Sequence, residues 1–266
     1  MINQMQMALI KKDIRGVTAN RNLFLTLLVV PLIMTVVLPT IFILIVGLTP
    51  LDSADFQELL TILPEGTLGS PDTDLREALI DSILNSMVPI FFLMIPVMAS
   101  SVTAASSFVG EKEKRTLETL LYCPLSLRQI LSAKVVSSLA LSQFVSLVSF
   151  AALTLVVQTE IWLITRSLML PGINWLVLLL VVSPSVSLVA ITLIVRGSAK
   201  AKSTEESQQR SVFLVLPIVL LAVGQFSGIL LVNAWLLLGL GVLFAAVGLI
   251  LLRLSSAGFS YERLLQ

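Results

Sequence analysis

SVFLVLPIVLLAVGQFSGILLVNAWLLLGLGVLFAAVGLILL, residues 211–252, is a stretch of 42 residues without a charged side chain. A helix needs about 20 apolar residues to cross the hydrocarbon core of a bilayer, so this stretch predicts two crossings joined by a tight hairpin. Gly228, Asn233 and Trp235 are typical turn and interface residues and place the hairpin within residues 224–235. Two crossings also return Arg210 and Arg253 to the same side of the membrane.

The composition of the whole chain indicates that much of the protein surface faces lipid. Of the 266 residues 56% are hydrophobic and only 12% are charged, and the mean hydropathy is +1.00. A water-soluble protein of this composition could not cover its surface with polar groups. The net charge of +1 gives no indication of a nucleic acid partner, and none is expected.

Four further uncharged runs precede the long one, which makes six predicted spans in an all-α integral membrane protein. The spans are predicted at residues 23–49, 82–110, 135–159, 167–195, 211–230 and 235–252. The segments between them are an interfacial helix (1–22), an outer loop (50–81), a cytoplasmic segment (111–134), a cytoplasmic loop (196–210) and a cytoplasmic tail (253–266). All of these form one transmembrane domain.

The basic residues orient the chain. With six spans, 15 of the 17 lysines and arginines fall on one side, and only Arg76 and Arg166 fall on the other. The positive-inside rule therefore predicts that both termini are cytoplasmic, in the plasma membrane of a prokaryotic cell. The first 22 residues contain five charged side chains, so no cleavable signal peptide is predicted.

Three helices are predicted in the N-terminal segment and the outer loop. In the N-terminal segment an apolar stripe at helical spacing predicts an amphipathic helix in the inner interface, although a charged flank that only fixes topology explains the segment equally well. The outer loop contains two more helical patterns, one over residues 56–63 and one that starts at Leu75 and runs into the second span. The outer helices are expected to shield the ends of the spans, and a cap over the exit of a pathway is the alternative.

Several kinds of chemistry are excluded by residue type. The chain has no histidine and a single cysteine, Cys123. It can therefore form no intrachain disulfide, no histidine-ligated metal site and no Ser-His-Asp triad. No catalytic residue, no metal ligand and no bound cofactor are predicted.

GEKEKRTLETLLYCPLSLRQILSAK, residues 110–134, is the most informative cytoplasmic stretch. It combines an apolar stripe over Leu117–Tyr122 with charges of both signs over Glu111–Glu118, and Pro124 ends this short helix. Ser126 is a typical N-cap for a second helix that enters the third span. Such a segment suits docking into a groove on another protein, but from the residues alone a solvated, charged connector is the favoured interpretation.

The stretch resembles the signature of the ATP-binding-cassette type-2 permeases, whose pattern is approximately Glu-Lys-Glu-x-Gly-Thr-Leu-Glu-x-Leu-Leu-x-x-Pro-x-Ser, followed by a lysine before the next span. The residues that match are Glu111, Lys112, Glu113, Thr116, Leu117, Glu118, Leu120, Leu121, Pro124, Ser126 and Lys134. Arg115 replaces the usual glycine, and Tyr122-Cys123 replaces the usual small residues. Weaker resemblances are Lys12-Asp13-Ile14-Arg15, the loop Ser198–Gln209, and Phe259, Glu262 and Arg263 near the C-terminus.

The resemblance implies a coupling helix, the segment of these permeases that contacts a separate ABC ATPase. The implied contact residues are Glu111, Lys112, Glu113, Lys114, Arg115, Thr116, Leu117, Glu118, Leu120 and Leu121. It also implies a working unit of two permease chains, as a homodimer or with a paralogue, and two ATPases that export a cargo. No Walker Gly-x-x-x-x-Gly-Lys-Ser/Thr motif occurs in this chain, so ATP and Mg²⁺ are expected in the partner subunit.

The spans indicate the source of energy and the type of cargo. No ionisable residue lies within a predicted span, whereas carriers driven by protons or sodium usually bury carboxylates or histidines there. An uncharged interior suits an amphipathic or hydrophobic cargo. Small polar residues could line a pathway, although close helix packing is the more general use of such residues; the candidates are Ser100, Thr103, Ser142, Gln143 and Ser146.

Three other classes of protein remain as alternatives. The first is a non-transporting membrane anchor, assembly factor or immunity protein that holds a soluble partner through residues 111–121. The second is a passive channel, which the lack of charged rings and filter-like sequences disfavours. A membrane enzyme is the least favoured, because the spans contain no histidine, cysteine or carboxylate pair.

Overall fold

A computed structural model describes residues 4–50, 75–113, 124–166, 168, 171–198, 203–209, 213, 215–227 and 233–258. Within these ranges the regular elements are helices and no strand occurs, which confirms the predicted all-α class. The α-helices are α1 (Gln4–Ala19), α2 (Arg21–Leu48), α3 (Leu75–Ser82), α4 (Val88–Phe92), α5 (Met94–Glu113), α6 (Leu127–Thr165), α7 (Ile173–Val177), α8 (Ser183–Ser198), α9 (Thr204–Gln209), α10 (Val215–Phe226) and α11 (Ala234–Gly258). Two π-helical turns, π1 (Ile83–Met87) and π2 (Leu178–Val182), join α3 to α4 and α7 to α8.

Five of the described helical runs are long and apolar enough to cross a bilayer. Span 1 is α2, span 2 runs from α3 through π1 and α4 to α5, span 3 is α6, span 4 runs from α7 through π2 to α8, and span 6 is α11. Helix α10 is apolar but has only 12 described residues, fewer than a crossing needs. It corresponds to the predicted fifth span, and the residues on both sides of it lie outside the described ranges.

Several locally encoded features are present where the sequence predicts them. Ser126 caps α6 in a capping box: its hydroxyl accepts from the backbone N–H of Gln129, and the Gln129 side chain accepts from the backbone N–H of Ser126. The helix predicted from Leu75 is α3, and it continues into span 2. Asn233 accepts from the N–H of Leu236 at 2.9 Å and so caps α11. The outer-loop pattern over residues 56–63 lies outside the described residues.

The π turn in span 2 is explained by a proline. Pro89 has no N–H to donate to the carbonyl of Asn85, four residues earlier. That carbonyl instead accepts from the Asn174 side chain at 2.9 Å, and the neighbouring carbonyl of Leu84 accepts from the Trp175 indole at 3.1 Å. The break in one helix therefore supplies the hydrogen-bond acceptors that hold the start of span 4 against it.

An aromatic cluster fills the space where spans 2, 3 and 4 meet. The ring of Trp175 lies 5.3 Å from that of Phe92 and 5.2 Å from that of Phe150, measured between centroids. Trp175 is only 2% exposed and Phe92 is fully buried. This cluster is part of a continuous apolar core that also includes residues of span 1, so the first four spans form one packed body.

Close approach of span 6 to span 4 depends on a glycine. A Cβ atom added at Gly241 would lie 2.8 Å from the Cγ1 atom of Val181 and 3.4 Å from the carbonyl carbon of the same residue. It would also lie 3.4 Å from the Cγ2 atom of Val182. Valine is stiff about χ1 and cannot easily move aside. Gly239, two residues earlier on the same helix, has no atom within 4 Å of such a Cβ.

We expect Gly241→Ala to lower the free energy of unfolding by about 1–3 kcal/mol, the usual cost of overpacking. Gly239→Ala is the matched control and should leave stability unchanged or raise it by up to about 1 kcal/mol, because alanine favours the helix. Thermal unfolding of both variants in detergent measures the difference. Equal midpoints for the two variants would show that span 6 does not pack on span 4 through Gly241.

Candidate functional site

The predicted partner-contact segment begins at the C-terminal end of span 2, where α5 ends at Glu113. Glu111 is buried and Glu113 is exposed. The backbone of Lys112 lies in the same helix, and its side chain is outside the described set. The other predicted contact residues also lie outside the described residues; they are Lys114, Arg115, Thr116, Leu117, Glu118, Leu120 and Leu121.

Four charged side chains meet at the base of this segment, and we call Lys12, Asp13, Glu111 and Lys134 the basal cluster. The ammonium of Lys12 lies 2.5 Å from Oε1 of Glu111, and that of Lys134 lies 2.7 Å from Oε2 of the same carboxylate. Lys134 also lies 3.8 Å from Oδ2 of Asp13. Two positive and two negative charges balance, which is the condition under which ionised groups can be buried.

Hydroxyl and carbonyl groups complete the basal cluster. Ser107 donates to Oδ2 of Asp13 at 2.8 Å, and Ser137 donates to the same oxygen at 3.4 Å. The ammonium of Lys134 also donates to the backbone carbonyl of Ser107 and lies 5.4 Å from the centre of the Phe108 ring. With 2% of Lys134 exposed, these contacts replace its hydration almost entirely.

The N-terminal helix α1 is held on the start of span 3 by apolar contacts beside the basal cluster. Leu9 and Ile10 of α1 pack with Leu125, Ile130 and Ala133, and all five are buried. One turn earlier, the side-chain amide of α1 residue Gln6 donates to the hydroxyl of Ser132 at 3.2 Å. The predicted helix is therefore present, and its Lys12 is directed to Glu111.

A second short helix, α9, lies against the end of α5. Thr204, the first residue of α9, is 3.7 Å from the position that a Cβ atom would take at Gly110. The side chain of Ser207 in α9 is completely buried. The last turn of span 2 is therefore enclosed by α1, α6 and α9, while Glu113 remains exposed at its tip.

The ion pairs of the basal cluster can pass a movement of the predicted contact segment on to α1 and span 3. Glu111 is the first residue of the predicted contact segment, and its carboxylate bonds to α1 through Lys12 and to span 3 through Lys134. A force on the segment is then shared by spans 2 and 3 and the N-terminal helix, because ion pairs of low solvent exposure resist separation. Among the described residues, no group of three or more Asp, Glu, His or Cys side chains is placed to hold a metal ion.

The five candidate pathway residues lie where spans 2, 3 and 4 pack together, and all of them except the half-buried Gln143 are buried. Ser142 donates to the carbonyl of Pro96 at 3.1 Å and lies 2.9 Å from the hydroxyl of Ser187. Gln143 donates to Ser183 at 3.2 Å. Three hydroxyls bond to the backbone of their own helices; they are those of Ser100, Thr103 and Ser146. These contacts are those of helix packing, and lining of a pathway in another state stays a prediction.

The sequence alone does not predict that the four residues of the basal cluster contact one another. From the sequence, Lys12, Asp13 and Lys134 are separate matches to a family pattern, and Glu111 is a match and an implied partner contact. Their common signal is that three segments, all predicted at the cytoplasmic membrane surface, carry charges of opposite sign. Which charges pair depends on how α1 lies across α6, and the sequence does not give that.

The chain matches a known family. The family model described as ABC-2 family transporter protein matches residues 7–234 of the 266. The matched region includes α1, the basal cluster, the contact segment and the first five predicted spans. No curated protein and no solved structure matches the chain.

Proposed function

The chain belongs to the ABC-2 transporter family and is a membrane permease component, and from this we propose that it forms the transmembrane half of an ATP-driven exporter. Its ATPase is a separate chain that docks on residues 111–121. The single observation that carries this proposal is the family match, which extends over the contact segment and the cluster that anchors it.

The proposed coupling runs from the ATPase to the spans. Binding of ATP closes a pair of ATPases, and the closure moves the contact segment with them. Glu113 is exposed and can contact the partner, while Glu111, two residues earlier, is buried and ion-paired. About half a turn of helix therefore separates the surface that receives the movement from the cluster that passes it to span 3 and α1.

Two permease chains are proposed to work together, since one transport pathway served by two ATPases needs two contact segments. The proposed location is the plasma membrane, with both termini and the basal cluster on the cytoplasmic side, as the distribution of lysine and arginine predicts. The proposed cargo is amphipathic or hydrophobic, because the predicted spans contain no ionisable side chain with which to bind an ion.

Reconstitution with an ABC ATPase encoded beside this chain tests the proposal. The two chains should co-purify, and the complex in nanodiscs should hydrolyse ATP faster than the ATPase alone. A hydrophobic peptide, or an amphipathic lipid absent from the nanodisc, should stimulate hydrolysis further, whereas inorganic ions other than the Mg²⁺ needed with ATP should not. An ATPase that neither co-purifies with the permease nor changes its rate would favour a membrane anchor, and stimulation by ions alone would refute the proposed cargo class.

A further inference from the structure

An apolar cavity of about 240 Å³ lies between span 1 and span 2. Its position is close to the middle of both spans, because it involves residues 30–39 of Arg21–Leu48 and residues 88–98 of the run from Leu75 to Glu113. Along span 1 the cavity extends over about 13 Å of helix axis. It therefore lies at the depth where the ends of lipid acyl chains meet.

The shape of the cavity follows from the residues that span 1 presents to span 2. Pro31, Thr35 and Pro39 recur every four residues and so share one face of α2. These side chains are short, and span 1 packs mainly on span 3. The opposite wall is formed by larger side chains of span 2: Val88, Phe91, Phe92, Met94, Ile95 and Met98.

The chemistry of the walls excludes water and ions as stable occupants. Thr35 provides the only hydroxyl among the lining residues, and it donates to the carbonyl of Pro31 in its own helix. No lining residue carries a charge. A buried water needs two to four polar partners, whereas an apolar cavity of about 150 Å³ stays dry and binds apolar molecules.

The cavity opens toward the bilayer. Val30 and Met98 lie at its rim and are 37% and 42% exposed, while Phe92, Ile95 and Thr35 deeper inside are between 0% and 6% exposed. The medium around the described spans at this depth is hydrocarbon, so an acyl chain can reach the opening without crossing a polar layer. Filling the void restores dispersion contacts that the walls otherwise lack.

We propose that this cavity is a binding site for the terminal part of a phospholipid acyl chain, which enters laterally from the bilayer between spans 1 and 2. The site requires neither the ATPase nor a transported cargo. It needs only the two facing helices, the short side chains of span 1 and the open rim at Val30 and Met98.

Photolabelling of the full-length chain in nanodiscs tests the site. The probe is a phosphatidylcholine with a diazirine close to the end of one acyl chain, and mass spectrometry of the irradiated protein locates the adducts. Adducts should be several-fold denser on the cavity wall than on the outward face of span 1, where Ile33, Val37 and Ile41 are 45–51% exposed.

Variants that fill the cavity give the decisive comparison. Leu38→Trp and Met98→Trp place an indole in the cavity from opposite walls, and each should lower labelling of the remaining wall residues several-fold. Val37→Trp, one residue away on the outward face, is the matched control and should leave that labelling unchanged. If the filled variants label like the wild type, or if the wall labels no more than the outward face, the proposal is wrong.

Discussion

Replacing Lys134 with methionine is expected to lower the free energy of unfolding by about 3–5 kcal/mol, the usual cost of removing one partner from a buried ion pair. Methionine keeps most of the apolar stem of lysine, so lost packing contributes little. The variant leaves the carboxylates of Asp13 and Glu111 buried, 9% and 8% exposed, with Lys12 as the remaining cation of the basal cluster. The side chain of Lys12 is 58% exposed and cannot neutralise both.

Thermal unfolding in detergent measures this effect, with Lys11→Met as the control. Lys11 neighbours Lys12 on α1 but its side chain is exposed, so its replacement should change stability by less than about 0.5 kcal/mol. Combining Lys134→Met with Glu111→Gln should recover part of the loss, because one positive and one negative charge then remain in balance. Equal unfolding temperatures for Lys134→Met and Lys11→Met would contradict a buried, ion-paired Lys134.

The features that the sequence predicts correctly are those encoded within a few residues. Ser126 and Gln129 form a capping box from side chains three positions apart, and the structure confirms that α6 begins after Ser126. Leu75 begins a helical pattern that reaches span 2 without a breaker, and the structure confirms the continuous run. Apolar runs of about 20 residues have a single solution in a bilayer, which is why the all-α class follows from the sequence.

The basal cluster could not be predicted in the same way, because its partners are far apart in the chain. Lys12 and Glu111 are separated by 99 positions, and Asp13 and Ser137 by 124. Pairing over such distances depends on the direction in which α1 crosses span 3, and that direction is set by packing of Leu9 and Ile10. A charge near a membrane surface has many candidate partners, and the sequence does not distinguish among them.

The prolines show a second limit to what the sequence can predict about the structure. A proline removes one helical hydrogen bond wherever it stands inside a helix, and Pro31, Pro39 and Pro89 all lie within spans. The structure adds that Pro89 follows a π turn whose free carbonyl binds Asn174, and that Pro31 and Pro39 line a cavity. Both consequences depend on the helix that faces each proline, which only the packed structure identifies.

The variant that combines Glu113→Ala with Leu117→Ala should weaken binding of the partner ATPase by 2 kcal/mol or more, about 30-fold, if these residues are central to the interface. Glu113 is exposed and takes no part in the described ion pairs, so its truncation leaves the basal cluster intact. Leu117 lies outside the described residues and is included as the first residue of the predicted apolar stripe. The permease itself should therefore stay folded while its coupling to the ATPase is lost.

The matched control carries Leu168→Ala and Ile173→Ala, two exposed apolar side chains at the opposite end of the spans. Each variant is purified with the ATPase in nanodiscs, and the affinity of the complex and its rate of ATP hydrolysis are measured together. We expect the control to match the wild type, and we expect the Glu113, Leu117 variant to lose both ATPase binding and stimulation of hydrolysis. A folded Glu113, Leu117 variant that binds and stimulates the ATPase like the wild type would contradict docking through residues 111–121.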